Sequence, residues 1–507
     1  MTKRPGTAPD YLAVVVVLAS LGVSASGPPG RRSVTIVQSY ATAETTTTAS
    51  VVWNTSIAAD SLIQYSTSTP IPASAPTLYS AALATYHEFP LARLAPGTLY
   101  YFKVTSCARR ECAAASGTFE TFPSCPDIVP PVTGIWEEAA SANVSGAGPV
   151  DQELLGIAAI SDSDVWAVGW AQDPEGPAYV KRPLIEHFDG SVWSIVPGPS
   201  HPNDTQSQLH SVSAASANDV WAVGFSHDGT LPSRTLVQHW DGTQWSIVPS
   251  PSTDDQLNAL LGVAALSAND VWAVGYRSGS QTESPIETLI LHWDGAGWTK
   301  VVSPNIRGVA NQLFGVAAIA ADDIWAVGYA GGAPLSMHWD GSAWRVVPVP
   351  RDPGLSTEYL TAVSGAAGND IWAVGIGRGV YVNQAFATIR HWDGTRWTDK
   401  VCRAASDSNP PEGYEGGGPG AYLTGVSAAA ANDVWAVGVR GSGPMILHWD
   451  GLAWTAVRHP RAFPDSATLA AVTTVGRGGA WSAGREVLAD SSGGFSAVRT
   501  LVQKFTP

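Results

Sequence analysis

The sequence predicts an all-β protein, a small β-sandwich followed by a seven-bladed β-propeller of four-stranded blades, on three observations. First, SANDVWAVG stands at Ser216–Gly224 and again at Ser267–Gly275, with near copies AGNDIWAVG at Ala367–Gly375 and AANDVWAVG at Ala430–Gly438. Second, each copy belongs to a set of four β-like runs, in the third copy LLGVAAL, DVWAVGY, ETLILHWD and GWTKVVSP. Short strands recurring in fours are the pattern of propeller blades. Third, the 507 residues are 45% hydrophobic but only 14% charged, with 51 Gly, 36 Pro and 21 Trp, the make-up of an ordered, turn-rich, β-leaning chain.

The repeat accounts for the larger part of the chain. Its Trp falls at Trp166, Trp221, Trp272, Trp325, Trp372, Trp435 and, in the degenerate GGAWSAG, at Trp481, so successive steps are 55, 51, 53, 47, 63 and 46 residues by subtraction. These are repeats one to seven. In each, Asn-Asp is turn chemistry, because both side chains bond nearby backbone; it ends the first strand and starts the second. The run VWAVG is apolar on both faces, as a strand sandwiched between neighbours requires. Its Trp, burying roughly 150–250 Å² for at most about 4–6 kcal/mol, is expected to hold one blade to the next.

A second word, HWDG, recurs at His239, His292, His338, His391 and His448, and as HFDG at His187 and Phe188. Its Asp-Gly is expected to form a two-residue hairpin turn with positive φ at both positions, and its histidines to pack rather than to bind metal. Repeat seven ends at RTLVQKFTP without a fourth strand, while Ile135-Trp136, ahead of repeat one, supplies a run of that kind. Pairing the two closes the ring and leaves no open edge.

Ahead of the repeats the chain changes character twice. Residues 1–25 read as a signal peptide: Lys3 and Arg4, the apolar stretch Tyr11–Val23, then the small-residue site Val23-Ser24-Ala25. The apolar stretch is shorter than the roughly 20 residues of a membrane span, so the mature chain is expected to lack a transmembrane segment and to be secreted or held at the cell surface. Residues 33–123 carry the strand-like runs SVTIVQSY, TASVVWNTS, SLIQYSTS, TLYYFKVTS and SGTFETF, the spacing of a small sandwich. Residues 124–133 form a Pro-rich linker, and residues 134–507 the propeller. Outside the cytoplasm cysteines pair. Of three connectivities for Cys107, Cys112, Cys125 and Cys402, the preferred one joins Cys107 to Cys112 across ARRE and Cys125 to Cys402; alternatively the last two stay unpaired.

Two stretches resemble known families. In LARLAPGTLYYFKV, Leu94, the Pro96-Gly97-Thr98 turn and Tyr100 resemble the tyrosine corner of a fibronectin type III domain, which implies that Trp53 is its core Trp. The repeats are similar to the tectonin-like and ANDVWAVG/HWDG propellers of exported bacterial proteins.

A net charge of −15 speaks against nucleic acid as a partner, since that affinity rests on clustered Lys and Arg. Strand order puts the Asn-Asp loops and Asp-Gly turns on one side of the blades. The second-to-third-strand loops and the loops between repeats lie on the other. The latter vary, so a site can be written there. They offer Tyr179, Lys181, Arg182, His227, Arg234, Arg277, Arg378, Tyr381 and Tyr414 as ligand-binding candidates. No GxSxG, HExxH, CxxC or phosphate-cradling loop occurs, and carboxylates such as Asp173, Glu175, Asp228 and Glu412 follow no diagnostic spacing. No catalytic residue, metal or cofactor is therefore assigned. The expectation is a monomeric secreted or cell-surface binding or adhesion protein for extracellular carbohydrate or a protein partner. The alternative is an extracellular carbohydrate-active enzyme, a glycoside hydrolase or lyase, with two carboxylates about 5–10 Å apart at the channel mouth.

Overall fold

The computed structural model describes residues 33–43, 48–95, 98–121, 134–145, 150–174, 177, 180–229, 232–252, 257–278, 286–352, 355–379, 385–400, 420–457, 459, 466–476, 478–489 and 495–507. The expected signal peptide and linker, Cys125, Cys402, Tyr179, Tyr381, Tyr414, Glu175 and Glu412 lie outside the described residues. Among the described residues every regular element is a β-strand, and no helix is long and apolar enough to cross a membrane. The chain divides into two compact bodies, with the break after Pro126.

The first body has strands β1 (Ile36–Ala43), β2 (Thr48–Ser66), β3 (Thr77–Ala92), β4 (Leu99–Ala108) and β5 (Glu111–Glu120). They are paired in the order β1-β2-β4-β5, with β3 added on β2. Two of the expected runs, TASVVWNTS and SLIQYSTS, are one strand, β2, whose register against β3 jumps between Asn54 and Ser61. Strand β3 is absent from the expected set because most of its side chains are exposed, which removes the apolar alternation that marks a strand. Trp53, Leu91, Leu94, Tyr100, Phe102 and Phe119 share the core. Within it Trp53 Nε1 donates to Ser106 Oγ at 2.8 Å, and the Ala95 amide donates to the Tyr100 hydroxyl at 2.8 Å. Cys107 and Cys112 form a disulfide across the β4–β5 hairpin, whose two-residue turn holds Arg109 and Arg110 at φ 52° and 74°. Positive φ at both central positions is what a right-twisted two-residue hairpin demands.

In the second body repeats one to six each form four antiparallel strands paired in chain order, those of repeats one and two being joined by a parallel pairing of Gln206 with Lys181, and repeat seven supplies three strands. Repeat one uses Gln152–Ser161, Asp164–Gln172, Lys181–Phe188 and Trp193–Ile195; repeat two uses Gln206–Ser216, Asp219–His227, Arg234–Trp240 and Trp245–Ile247. The first strands of repeats three to six open at Asn258, Asn311, Leu355 and Ala421. In repeat seven, Ser466–Val475, Gly479–Ala489 and Phe495–Thr506 take Ile135–Ala139 as the fourth strand, with Trp136 opposite Phe505. The body is thus an all-β, propeller-like arrangement of four-stranded antiparallel sheets.

Its cores lie between repeats. Trp166 packs with Leu209, Val212 and Trp245 of repeat two, and Trp221 with Leu260, Val263 and Trp298 of repeat three. Trp481 of repeat seven packs with Leu154, Ile157 and Trp193 of repeat one. The rings meet edge-on, Trp221 to Trp298 at 5.5 Å and Trp481 to Trp193 at 5.6 Å, a geometry that indole quadrupoles favour.

The closing Gly of VWAVG also has a physical cause. In repeat two the first strand skips one residue between Leu209 and Ser211, a β-bulge that tips the Gln208 carbonyl onto the second strand. A Cβ at Gly224 would stand 1.9 Å from that oxygen, and one at Gly275 would stand 2.0 Å from the Ala259 oxygen. The Asp-Gly turns differ from expectation. Trp240 pairs directly with Trp245, so four residues make the turn, and only Gly242 has positive φ, 92°. Asp241 Oδ1 accepts the amides of Thr243 at 2.8 Å and Gln244 at 2.9 Å. The carboxylate closes the turn, and a second left-handed residue is unnecessary.

Candidate functional site

The repeated words build no site, because their polar atoms are engaged with one another. In repeat three Asp270 Oδ1 accepts from Trp272 Nε1 at 2.9 Å and pairs with His292 Nε2 at 2.9 Å. The His292 ring lies on Trp272 with centroids 4.3 Å apart. The same Asp–Trp–His unit recurs around Asp219, Asp323, Asp370 and Asp433. The histidines therefore pack, as expected, and also anchor the carboxylate of the Asn-Asp turn. Among the described residues no group of three or more His, Cys, Asp or Glu is placed to hold a metal ion.

At the opposite end of the strands the repeats diverge. Trp170, the residue after Val-Gly in repeat one, stands opposite Glu153. Lys181 opens the third strand of that repeat and holds Nζ 3.5 Å from the Trp170 ring centroid, a cation–π contact. Arg485 occupies in repeat seven the position that Trp170 occupies in repeat one, and its Nη1 lies 3.3 Å from Glu153 Oε2. On the other flank His210, the bulge residue of repeat two, stacks on Phe225 at 5.5 Å, and Phe225 lies parallel to His227 at 6.5 Å. Charged and aromatic side chains thus run from repeat seven into repeat one, and a second set, His210, Phe225 and His227, lies in repeat two.

Burial perturbs this run. It raises the carboxyl of Glu153 against the opposing pull of Arg485 and Lys181. It lowers the Lys181 ammonium, with Glu153 opposing the shift and Arg485 adding to it. His210 is pushed down to about 4, first by burial and then by the charge of Lys181. Arg485 Nε and His210 Nε2 are buried with no hydrogen-bond partner among the described residues. Neighbouring titratable groups shifted by burial and by one another make this strand end the candidate site.

Just outside, Arg182 Nε pairs with Asp173 Oδ2 at 3.1 Å and Nη1 donates to the Asp204 carbonyl at 2.7 Å. Arg234 pairs with Asp204 Oδ1, while Asp204 Oδ2 accepts from Ser207 at 3.2 Å. Asp204 thereby gathers both guanidinium groups beside Lys181.

Of the expected candidates, Lys181, Arg182, His227 and Arg234 come together across repeats one and two. Arg277 does not join them: it pairs with Glu287 at 2.5 Å within repeat three. Arg378 lies in the second strand of repeat five. All six described candidates sit in strands, chiefly at their ends, rather than in the loops where they were expected. Glu153, Trp170, His210 and Arg485 stand in strands, outside the between-strand loops in which binding residues were expected. A signal existed in the sequence. His210 stands in a column that holds Leu155, Leu261 and Phe314 but also Thr361 and Thr424, and Arg485 follows Trp170, Phe225, Tyr276 and Tyr329 in the column after Val-Gly.

No protein-family model and no curated protein matches this chain. Among solved structures it is similar to Sqt1 from Chaetomium thermophilum, at 11% identity over 69% of this chain and 97% of that chain, TM-score 0.35. It is also similar to the FN1–FN3 domains of chicken CNTN1, at 9% identity over 62% of this chain and 96% of that chain, TM-score 0.14. Similarity of this degree identifies neither a family nor a function.

Proposed function

We propose that the chain is an exported or cell-surface binding protein, in which a fibronectin type III-like domain at residues 33–123 precedes a closed, seven-bladed β-propeller at residues 134–507. Its variable mouth takes an extracellular carbohydrate or a protein partner. Closure is supported by the aromatic contacts, which pass from each repeat to the next and return from Trp481 to Trp193 and Phe188 of repeat one. It is supported again by Ile135–Ala139, which completes repeat seven from the other end of the chain. The amide-to-hydroxyl bond from Ala95 to Tyr100, beside buried Leu94 and Trp53, supports the fibronectin-like reading. Residues 1–25 support export.

Binding is carried by one observation: Arg485, Glu153, Trp170 and Lys181 gather at the end of the strands where the repeats cease to agree, with the stacked pair His210 and Phe225 in the neighbouring repeat two. The test is a glycan and cell-wall-polymer binding screen on the whole exported chain, with products analysed. Retention of an intact ligand that Arg485→Gln weakens supports the reading; absence of every ligand, protein partners included, overturns it.

The alternative, a glycoside hydrolase or lyase acting at the same mouth, is decided by the same screen, in which shortened products would establish it.

A further inference from the structure

Resting on the binding reading above, we propose that six aromatic rings, one from each of repeats one to six, form a rim that takes an uncharged polysaccharide against its pyranose faces.

The rim follows from one cross-strand pair. The residue after Val-Gly on the second strand stands opposite the residue that precedes the first-strand Leu: Trp170 opposite Glu153, Phe225 opposite Gln208, Tyr276 opposite Ala259 and Tyr329 opposite Gln312. Side chains directly opposite one another share a face of the sheet. Repeats five and six carry Ile376 and Val439 after Val-Gly, yet neither loses its ring. It moves to the first strand, to Tyr359 before Leu360 and to Tyr422, which stands opposite Val439. Repeat seven has no ring in either place, with Thr468 opposite Arg485. A ring kept through six repeats while its strand changes belongs to the surface that the two strands share.

The strand ends stand side by side from repeat to repeat. The Val263 amide donates to Ser211 Oγ at 3.2 Å, the Thr361 hydroxyl to the Leu423 carbonyl at 2.9 Å and the Thr424 hydroxyl to the Leu469 carbonyl at 2.6 Å, each bond joining the first strands of neighbouring repeats. Tyr329 of repeat four and Tyr359 of repeat five stack accordingly, with centroids 4.6 Å and planes 17° apart. All six rings are half-buried, so protein holds them and solvent still reaches them.

Uncharged hydrogen-bonding groups lie among the rings. The hydroxyls of Tyr329, Tyr359 and Tyr422 and the amide of Gln312 are neither bonded among the described residues nor shut off from solvent. Filling a seam between repeats would need only Leu or Phe; a phenol offers a ring and a polar handle together. In repeats two to six neither place of the pair holds a charge, and Arg485 and Glu153, where the rim ends, pair with one another. A pyranose presents C–H faces to rings and hydroxyls to phenols and amides. Its repetition along a polymer matches a rim that repeats along the chain.

The probes are the hexasaccharides of β-1,4-linked glucose, xylose and mannose, hexagalacturonate and decaproline, titrated calorimetrically into the whole exported chain with aromatic difference absorbance recorded. At least one neutral hexasaccharide is expected to bind, to perturb the tyrosine absorbance and to keep its affinity as salt is raised. Tyr329→Ala and Tyr422→Ala should each weaken it about two- to tenfold. Tyr329→Phe and Tyr422→Phe, which keep the ring, should lose less. Melting temperatures separate lost contacts from lost folding, and Tyr422, free of the Tyr329–Tyr359 stack, serves as the second site. Unchanged affinity in both folded alanine variants overturns the rim and leaves the binding reading standing. Tighter binding of hexagalacturonate or of decaproline than of every neutral glycan overturns the uncharged polysaccharide, again without touching that reading. If no probe binds, the rim is overturned, and the wider polymer screen decides separately whether the binding reading falls with it.

Discussion

Ser141 donates its hydroxyl to Glu186 Oε2 at 2.8 Å, and the Ala142 amide donates to the same oxygen at 3.2 Å. The two donors follow the strand that completes repeat seven, and Glu186 sits in the third strand of repeat one, fully buried. Thr500 adds a hydroxyl contact to Ser141 at 2.5 Å, and its amide donates to Asn143 Oδ1 at 3.0 Å. One buried carboxyl therefore ties the strap of residues 135–144 across the junction of repeats seven and one.

That carboxyl makes stability depend on pH. Burial pushes Glu186 up from 4.5 to about 7, with the Ser141 and Ala142 bonds opposing the shift. Between these two values the folded chain holds a proton that the unfolded chain has released, so raising the pH favours unfolding. The contribution is greatest below the unfolded value, falls as pH rises towards 7 and is level above it; its size is on the order of 3 kcal/mol. Glu186→Gln keeps an acceptor for Ser141 and cannot ionise. Denaturant midpoints at pH 5 and pH 8 should fall for the parent and change less for the variant. Identical pH slopes would show that Glu186 does not titrate in this range.

The Asp–Trp–His unit should act as a unit. Asp270→Ala leaves Trp272 Nε1 buried without its acceptor and frees His292, at a cost of about 1–3 kcal/mol in chemical denaturation. Repeat seven shows how the pair changes together: Gly479 stands where the Asp would be, and Lys504 stands in the His position, opposite Trp481 and 5.0 Å from its ring centroid. Adding His292→Lys to Asp270→Ala should thus recover part of the loss. A double-mutant cycle showing simple additivity would mean that Asp270 and His292 are not coupled.

Much of this fold was legible because turn and strand chemistry recur with the repeat. Asn-Asp, the both-faces-apolar VWAVG and the missing fourth strand supplied by Trp136 each have a local cause that any copy displays. Strand β3 was not legible: Tyr79, Leu83 and Tyr86 are exposed on it, so no apolar face announces it. The Asp-Gly turn was half legible, since the residue type is right while the second left-handed position is replaced by a side-chain acceptor. For the candidate site, Lys181 and Arg182 were found and Glu153, His210 and Arg485 were not. These three stand inside strands, and single-strand periodicity treats a polar residue there as the solvent face. Only the comparison of one column across repeats shows that Arg485 breaks a rule which the other copies keep, whereas the column of His210 also admits Thr361 and Thr424.

Glycine at the end of VWAVG should be irreplaceable. A Cβ at Gly275 would lie 2.0 Å from the Ala259 carbonyl oxygen, a backbone atom that can yield only by straightening the bulge. Gly275→Ala should cost about 3 kcal/mol or more, within the range of overpacked core sites. Gly297, in the last turn of the same repeat, has no atom within 4 Å of its added Cβ and no positive φ. Gly297→Ala should leave stability unchanged or raise it by about 0.4–1 kcal/mol through the unfolded chain. Equal melting temperatures for the two variants would remove the steric explanation of the motif.

The strongest test of closure uses Trp136, 1% exposed, edge-on to Trp435 at 5.4 Å and tilted against Phe505 at 5.7 Å. Trp298 fills the corresponding place against Trp221 at 5.5 Å, within a strand that follows its own repeat in sequence. Either Trp→Ala change opens a cavity costing about 3–5 kcal/mol. They should differ in kind. Trp298→Ala loosens a junction whose strands remain joined by short turns, so unfolding stays cooperative. Trp136→Ala loosens a junction whose fourth strand, Ile135–Ala139, pairs with a strand from the opposite end of the second body, which should release residues 134–144 before the global transition. Amide exchange should accordingly show early loss of protection at Glu137 and Glu138, whose partners are Lys504 and Gln503, in Trp136→Ala but not in Trp298→Ala. Loss of that protection only together with the whole body in both variants would show that this junction is no weaker than the others.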